Sequence, residues 1–340
     1  MNEPVTYKIF DWDGSNWNPL NNGINGKINT IVFDSNANLI YVGGYFSEID
    51  SINGTSNIVS WDGIKWNALE NGTNDEVVAL AFDVNSNYLY VGGYFSQAGS
   101  LNPNQSNLIA IWNKTTWQSI GNGLSNFAIF EQRNYINSFA FGAQANTLFV
   151  GGQFGPNHPH FLVYWNGQNW TFIEQNYCIE FNAIILQCSV SSMVFDINTN
   201  QLYFSGQITN SSELLYGGGS LISFGNIQFE NSTNIETTNY TLFNNSNIFG
   251  LGAISTIFYD RTTNLFYFGG SFAKIGSIVM NSITIFGNIT NSTTTTTQTP
   301  TPTNSNNSNG QVQASLTNST NSIVIIVVVV VIIVILVSFF

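Results

Sequence analysis

The stretch Phe33-Asp34-Ser35-Asn36-Ala37-Asn38-Leu39-Ile40-Tyr41-Val42-Gly43-Gly44 returns four more times along the chain. It recurs as Phe82-Asp83 to Tyr90-Val91-Gly92-Gly93, as Phe141-Gly142 to Phe149-Val150-Gly151-Gly152, as Phe195-Asp196 to Tyr203-Phe204-Ser205-Gly206, and as Tyr259-Asp260 to Tyr267-Phe268-Gly269-Gly270. The copies align without a gap. Each sets an Asn (Asn38, Asn87, Asn146, Asn200, Asn264) between two short aromatic and β-branched runs. Such runs around a turn residue read as a β-hairpin, here of strands a and b.

A second motif alternates with the first: Trp12-Asp13-Gly14 with Trp17, Trp61-Asp62-Gly63 with Trp66, Trp112-Asn113 with Trp117, and Trp165-Asn166-Gly167 with Trp170. Its later copies reduce to Phe224-Gly225-Asn226 and Phe286-Gly287-Asn288. Asp-Gly or Asn-Gly between flanking Trp residues predicts a tight hairpin of strands c and d, because Gly tolerates positive φ. The unit is therefore four antiparallel strands, and the Trp residues read as packing between units. Spacings of 49, 51, 53, 59 and 62 residues between the second motifs fit the roughly 50-residue period of kelch-type blades. A linear solenoid competes, but four antiparallel strands per unit favour blades arranged radially. The Gly pair that ends strand b predicts a place where neighbouring backbones approach too closely for side chains.

The run Tyr41-Val42-Gly43-Gly44-Tyr45-Phe46, followed by Trp61-Asp62-Gly63 and Trp66, resembles kelch-related propellers. More closely, it resembles the repeats of the fungal cortical-marker proteins of polarised growth and related anchored cell-surface repeat proteins. The resemblance covers about residues 7 to 289 and implies an extracellular propeller head on an anchored chain. The later copies depart from it, losing the first Gly (Ser205) and the Trp. The expected fold is all-β, with repeats near 7–22, 28–72, 76–123, 136–174, 189–230 and 251–289. The first repeat supplies only c and d and the last only a, b and c, so the two terminal sets overlap at c. Five or six blades are both compatible with that count, as is a fragment lacking N-terminal sequence.

The 340 residues are 43% hydrophobic but only 8% charged, so Asn, Ser and Thr must supply most of the solvated surface. A formal charge of −12 with seven Lys and Arg leaves no basic stripe for phosphates, which excludes nucleic acid as a main partner. At the C-terminus, Ile323–Phe340 carries one polar side chain, Ser338, and as a helix would span roughly 27 Å. No Lys or Arg follows Lys274. The order Ser308-Asn309-Gly310, polar spacer and apolar tail is that of a GPI-attachment signal, with Ser308 the candidate attachment residue. A retained transmembrane helix is the alternative. Residues 290–322, rich in Thr, Asn, Ser and Pro, read as an O-glycosylated stalk or a flexible linker. Met1–Phe10 has no apolar core of a signal peptide, which fits either a fragment or a tail-anchored head facing the cytosol from an internal membrane.

In an up-and-down unit the a-b and c-d turns share one face, and the b-c and d-a connections share the other. The turns hardly vary, whereas the connections differ in length and composition, and variable loops on a rigid scaffold are where recognition usually resides. Candidate residues on that face are Asp50, Asn53, Asn104, His158, His160 and Tyr216. Cys178 and Cys188 fall in one d-a connection and read as a local disulfide at a surface address, or as free thiols in a cytosolic head. Asn53, Asn104, Asn210, Asn231, Asn239 and Asn288 head N-x-Ser/Thr sequons, candidate glycosylation sites.

Asp34-x-Asn36-x-Asn38 opens like a calcium loop but has no Gly at its sixth position, and Tyr45 stands where the bidentate Glu belongs; an Asx turn is the better reading. His158 and His160 are the only histidines, too few for an imidazole-rich metal site. No arginine cluster or Ser-His-Asp set can be assembled. The expectation is therefore no enzyme, no cofactor and no metal. What remains is a membrane-anchored surface glycoprotein that binds an extracellular protein or glycan, or else a cytosolic adaptor; a degenerate propeller enzyme is a distant third.

Overall fold

The structure, a computed structural model, describes residues 9–20, 23–24, 26–47, 49, 52–124, 134–143, 147–154, 160–173, 189–207, 222–229, 237–242, 254–260, 263, 265–270, 274–275, 278–279 and 283–286. All of them belong to the first of two compact units, Met1–Gly287; the second is Asn288–Phe340. Strands β1 (Phe10–Trp12) and β2 (Trp17–Pro19) form a two-stranded ribbon. Sheet 1 follows, with β3 (Lys27–Asp34), β4 (Leu39–Tyr45), β5 (Ile58–Trp61) and β6 (Trp66–Ala68) in sequential antiparallel order.

Sheet 2 repeats the plan with β7 (Val77–Asp83), β8 (Tyr88–Gly93), β9 (Ile109–Trp112) and β10 (Trp117–Gln118), and carries helix α1 (Pro103–Ser106) between β8 and β9. Sheet 3 comprises β11 (Tyr135–Phe141), β12 (Leu148–Phe154), β13 (His160–Trp165) and β14 (Trp170–Phe172). Sheet 4 comprises β15 (Ser189–Asp196), β16 (Gln201–Gln207), β17 (Ile222–Phe229) and β18 (Thr237–Leu242). The last set is β19 (Ile254–Asp260), β20 (Leu265–Gly270), the small ribbon of β21 (Lys274–Ile275) and β22 (Ile278–Val279), and β23 (Ile283–Phe286), which pairs with β20. The chain is thus all-β, built of four-stranded antiparallel sheets of the kind that form propeller blades. Strand β18 falls within 231–249, a stretch whose lack of a Trp motif reads from sequence as a connection. Its Thr237-Thr238-Asn239-Tyr240-Thr241-Leu242 run suits a pleated edge without one.

Sheets follow one another face to face, with each first strand beside the next, from β3 through β7, β11 and β15 to β19. In the sheets between two others strand b is buried on both faces, at Leu89–Gly93 and Leu148–Gly152 for example, which is why it reads as an unbroken apolar run rather than an alternating one. Alternation still sorts the side chains: Tyr41 and Ile58 enter the core shared with sheet 2, while Val42 and Val59 enter the core on the opposite face. Likewise Tyr90 and Ile109 face sheet 3, and Val91 and Ala110 face sheet 1.

The two glycines that end strand b have different causes. A Cβ on the first would strike the following sheet: at Gly43 it would lie 2.5 Å from Val77 Cγ1, at Gly92 2.6 Å from Phe139 Cζ, and at Gly151 2.6 Å from Val190 Cγ1. A Cβ on the second would strike its own partner strand, 2.0 Å from Lys27 O at Gly44 and 2.1 Å from Glu76 O at Gly93. There strand a carries a bulge, with the register shifting between Ile28 and Thr30, Val77 and Ala79, Ile136 and Ser138, Val190 and Ser192, and Ile254 and Thr256. An extra residue bends the strand and brings its backbone against the glycine.

Polar groups at the bulges then reach across to the neighbouring sheet. Asn29 Nδ2 donates to Val77 O at 2.8 Å and Asn137 Nδ2 to Val190 O at 2.9 Å. Ser138 Oγ accepts from Met193 N at 2.9 Å, and Ser192 Oγ from Ile257 N at 3.0 Å. At the outer strands the Trp residues lock the same interfaces. The indole N–H of Trp117 donates to Leu69 O of the preceding sheet at 3.0 Å, and that of Trp170 to Ile120 O at 3.2 Å.

Candidate functional site

The turn face is built of repeated Asx turns. Both hairpins turn through four residues rather than two, as the pairs Asp34↔Leu39 and Trp61↔Trp66 show, because a carboxylate or amide side chain caps the loop from inside. Asp34 Oδ1 accepts from Asn36 N and Ala37 N at 2.9 and 3.0 Å, with Asn38 at φ 55°. In the c-d turn, Asp62 Oδ1 accepts from Ile64 N and Lys65 N, both at 2.9 Å, with Gly63 at φ 92°. Asn113 and Asn166 do the same work in sheets 2 and 3. The Asn67 amide, 2.8 Å from Asp62 Oδ2, and then the backbone N–H groups of Lys65 and Ile64 hold the Asp62 carboxyl down at about 2.

Between sheets 1 and 2 the turn face is tied by Lys114 Nζ, 2.7 Å from the buried Asp34 Oδ2 and 5.3 Å from the Phe82 ring centroid. Burial pushes the Tyr41, Tyr90 and Tyr203 phenols up, and Asp34, Asp83 and Asp196 beside them add to it. The carboxylate oxygens of Asp34 are thus engaged by turn amides and a lysine. Among the described residues no group of three or more His, Cys, Asp or Glu side chains could hold a metal ion.

The loop face is held together by bonds between sheets. Asn74, in the d-a connection of sheet 1, accepts on Oδ1 from Ser96 N and Gln97 N of sheet 2 at 3.0 and 2.9 Å, and donates through Nδ2 to Ser96 Oγ at 2.9 Å. Gly99 N donates to Gly72 O at 2.8 Å. In the b-c loops of sheets 1 and 2 a buried hydroxyl acts as a pin: Thr55 Oγ1 accepts from Ile49 N at 2.9 Å, and Ser106 Oγ from Ala98 N at 3.3 Å. Both hydroxyl residues are fully buried. These two loops therefore share an internal plan, legible in Phe46-Ser47-x-Ile49-x-Ser51-Ile52 against Phe95-Ser96-x-Ala98-x-Ser100-Leu101.

Asn53 lies exposed in the turn of the first b-c loop, and Asn104 lies exposed on α1 in the second. They head the sequons completed by Thr55 and Ser106, so in both loops the sequon hydroxyl has a structural duty of its own. His160 begins β13, opposite Phe154, and Asn239 sits in β18, opposite Gln228. Asp50, His158, Tyr216, Cys178, Cys188, Asn210, Asn231, Asn288 and Ser308 lie outside the described residues, as does the apolar segment 323–340. Among the described residues no helix is long and apolar enough to cross a membrane.

A second group, not singled out by the motifs, forms where the loop face meets the first strands. In sheets 1 and 2 the residue after the Gly pair lies two places beyond the first glycine and so points, like it, towards the next sheet. Tyr94 confirms this by meeting Tyr135 of sheet 3, ring centroids 4.8 Å apart. Tyr45, 61% exposed, pairs across the ladder with Lys27, whose Nζ is 3.2 Å from Glu76 Oε1 of sheet 2. Glu76 Oε1 also accepts from Asn29 Nδ2 at 2.8 Å, and Glu76 O accepts from Tyr94 N at 2.9 Å. Tyr135 pairs with Gln153. A band running Tyr45, Lys27, Glu76, Tyr94, Tyr135 and Gln153 thus crosses three sheets. Its sequence signal is the changing residue after the constant second Gly of the pair: Tyr45, Tyr94, Gln153, Gln207 and Ser271 follow Gly44, Gly93, Gly152, Gly206 and Gly270.

No protein-family model and no curated protein matches the sequence. Among solved structures, the chain is similar to one in the crystal structure of a nidogen/laminin complex, at 11% identity and a TM-score of 0.41 over 72% of this chain and 76% of that one.

Proposed function

We propose that the chain is a membrane-anchored, cell-surface propeller glycoprotein of kelch-like type, its five or six blades displaying a recognition or adhesion face made of the b-c and d-a loops. The observation that carries this reading is the difference between the two faces. The turn face repeats one Asx device and consumes its polar side chains within it, whereas the loop face is locked from sheet to sheet through Asn74 and Gly72 yet still exposes Asn53 and Asn104. A rigid platform with outward-facing variable groups suits binding. The apolar tail and the Thr/Asn/Ser/Pro stalk support the anchored topology, with lipid attachment at Ser308 or a retained helix as its two forms.

The test is expression of the tagged full chain in cultured eukaryotic cells. The reading expects labelling on intact cells, a downward gel shift with an endoglycosidase, and adhesion of beads coated with the chain to cell surfaces. An unshifted band with labelling only after permeabilisation would replace it with the cytosolic adaptor. Release by phosphatidylinositol-specific phospholipase C separates the lipid anchor from the helix.

A further inference from the structure

We infer that the band from Tyr45 to Gln153 is a binding site for a neutral saccharide, a ligand class that rests on and narrows the recognition reading above. Three properties of the band converge on it. First, Tyr45 is 61% exposed although it sits on a strand rather than in a loop, and Tyr94 of sheet 2 and Tyr135 of sheet 3 add a second pair of rings 4.8 Å apart. A tyrosine offers an apolar face and a polar tip, which suits a sugar ring, whose C–H face is apolar and whose rim carries hydroxyls.

Second, the charged groups in the band are paired: Lys27 faces Glu76 at 3.2 Å. Together they present acceptors and donors without net charge. Glu76 Oε1 takes the donors from Lys27 and Asn29, so Oε2 is the oxygen those two do not use. The Lys27 side chain is 65% exposed and has further N–H donors. Gln153 adds an amide that both donates and accepts. A hydroxyl can give to a carboxylate and receive from an ammonium, whereas an anion would meet Glu76 and a chain of net charge −12.

Third, the band is carried by strands that bulges and inter-sheet bonds hold in place, the Asn29 amide bonding Val77 O and Glu76 together. Little ordering remains to be done on binding, which favours ligands with few contacts. Tyr45 is the anchor, laid against one sugar ring, and Tyr94 and Tyr135 take the next unit of the saccharide.

The full chain in detergent micelles is titrated calorimetrically with cellotetraose, chitotetraose and mannotetraose, alongside Tyr45→Ala and Tyr45→Phe. Saturable binding of at least one tetrasaccharide is expected, weakened about tenfold or more in Tyr45→Ala and held within about threefold in Tyr45→Phe, as for a buried aromatic contact. Both variants should keep the parent unfolding midpoint, because Tyr45 is exposed. Binding of none of the three, or unchanged binding by Tyr45→Ala, overturns the inference. Bead adhesion to cells, measured in parallel, separates the two levels: adhesion without tetrasaccharide binding removes the saccharide site and keeps the recognition face, and loss of both removes each.

Discussion

The same Trp–Asp–Gly hairpin stands at 12–17 and at 61–66, with ring centroids 5.2 and 5.0 Å apart and the same Asx bonds in the turn, yet Trp17 is 51% exposed and Trp66 2%. The hairpin's geometry is therefore a local property, settled by four turn residues. Its burial is a property of the neighbouring sheets. Trp117 and Trp170 go one step further, each donating its indole N–H to a carbonyl of the complete sheet before it. Among the described residues Trp66 follows a two-stranded ribbon, and its buried Nε1 has no acceptor. The Trp pairs thus draw their energy from what packs against them: Trp66 lies in a core with Ile24, Val42, Phe46, Ile49 and Val59, whereas Trp17 stays half exposed.

If that is right, the two copies must respond very differently to truncation. Trp66→Ala should cost about 3–5 kcal/mol and Trp17→Ala under about 1 kcal/mol, read from urea unfolding midpoints at constant slope. Equal losses would break the comparison. The inter-sheet glycine gives the next largest contrast: Gly92→Val drives methyls into Phe139 and Ile136 and should cost about 3 kcal/mol. Gly14→Ala, with nothing within 4 Å of its Cβ, pays only for its φ of 97° and should stay near 1 kcal/mol.

Ion pairs sharpen the same contrast. Lys114→Ala leaves the fully buried Asp34 without its lysine and should cost about 2 kcal/mol, below the range for fully enclosed pairs because Lys114 is 21% exposed. Lys27→Ala, at 65% exposure, should cost under about 1 kcal/mol and become neutral in high salt. The smallest expected effect is in acid. Asp62 has its carboxyl lowered from 3.8 to about 2 in the folded chain, so its contribution is present above the unfolded value and is lost as pH falls through that window. Asp62→Asn, the residue that sheets 2 and 3 use natively, should flatten the acid limb between about pH 4 and 2 and leave neutral stability nearly unchanged.

Much of this architecture was legible in the repeat. The Asn at the a-b turn, the Trp pairs and the Gly pair each name a device that the structure contains, because each depends on a local requirement: a left-handed residue, a cross-strand partner, a missing Cβ. The division of labour within the Gly pair was not legible, since one glycine answers to the next sheet and the other to a bulge in its own partner strand. Strand β18 escaped for a similar reason: it pairs with β17 without the Trp signature that marks strand d elsewhere. The band from Tyr45 to Gln153 was hidden because its members are scattered over 27–153 and meet only when sheets stack. Thr55 and Ser106 looked like sequon residues alone, and the structure adds that both are buried pins.

The central claim is that each sheet's first inter-sheet glycine lies directly beneath the first strand of the next sheet. The most direct measurement is a Gly92→Cys/Ile136→Cys pair in a Cys178→Ser/Cys188→Ser background, oxidised and mapped by peptide mass spectrometry. A Cβ at 92 would lie 3.0 Å from that of Ile136, close enough for a disulfide once the backbones give by a few tenths of an ångström. The account predicts one intramolecular bond joining 92 to 136 in most of the protein; free thiols, or cross-links only between chains, would contradict it.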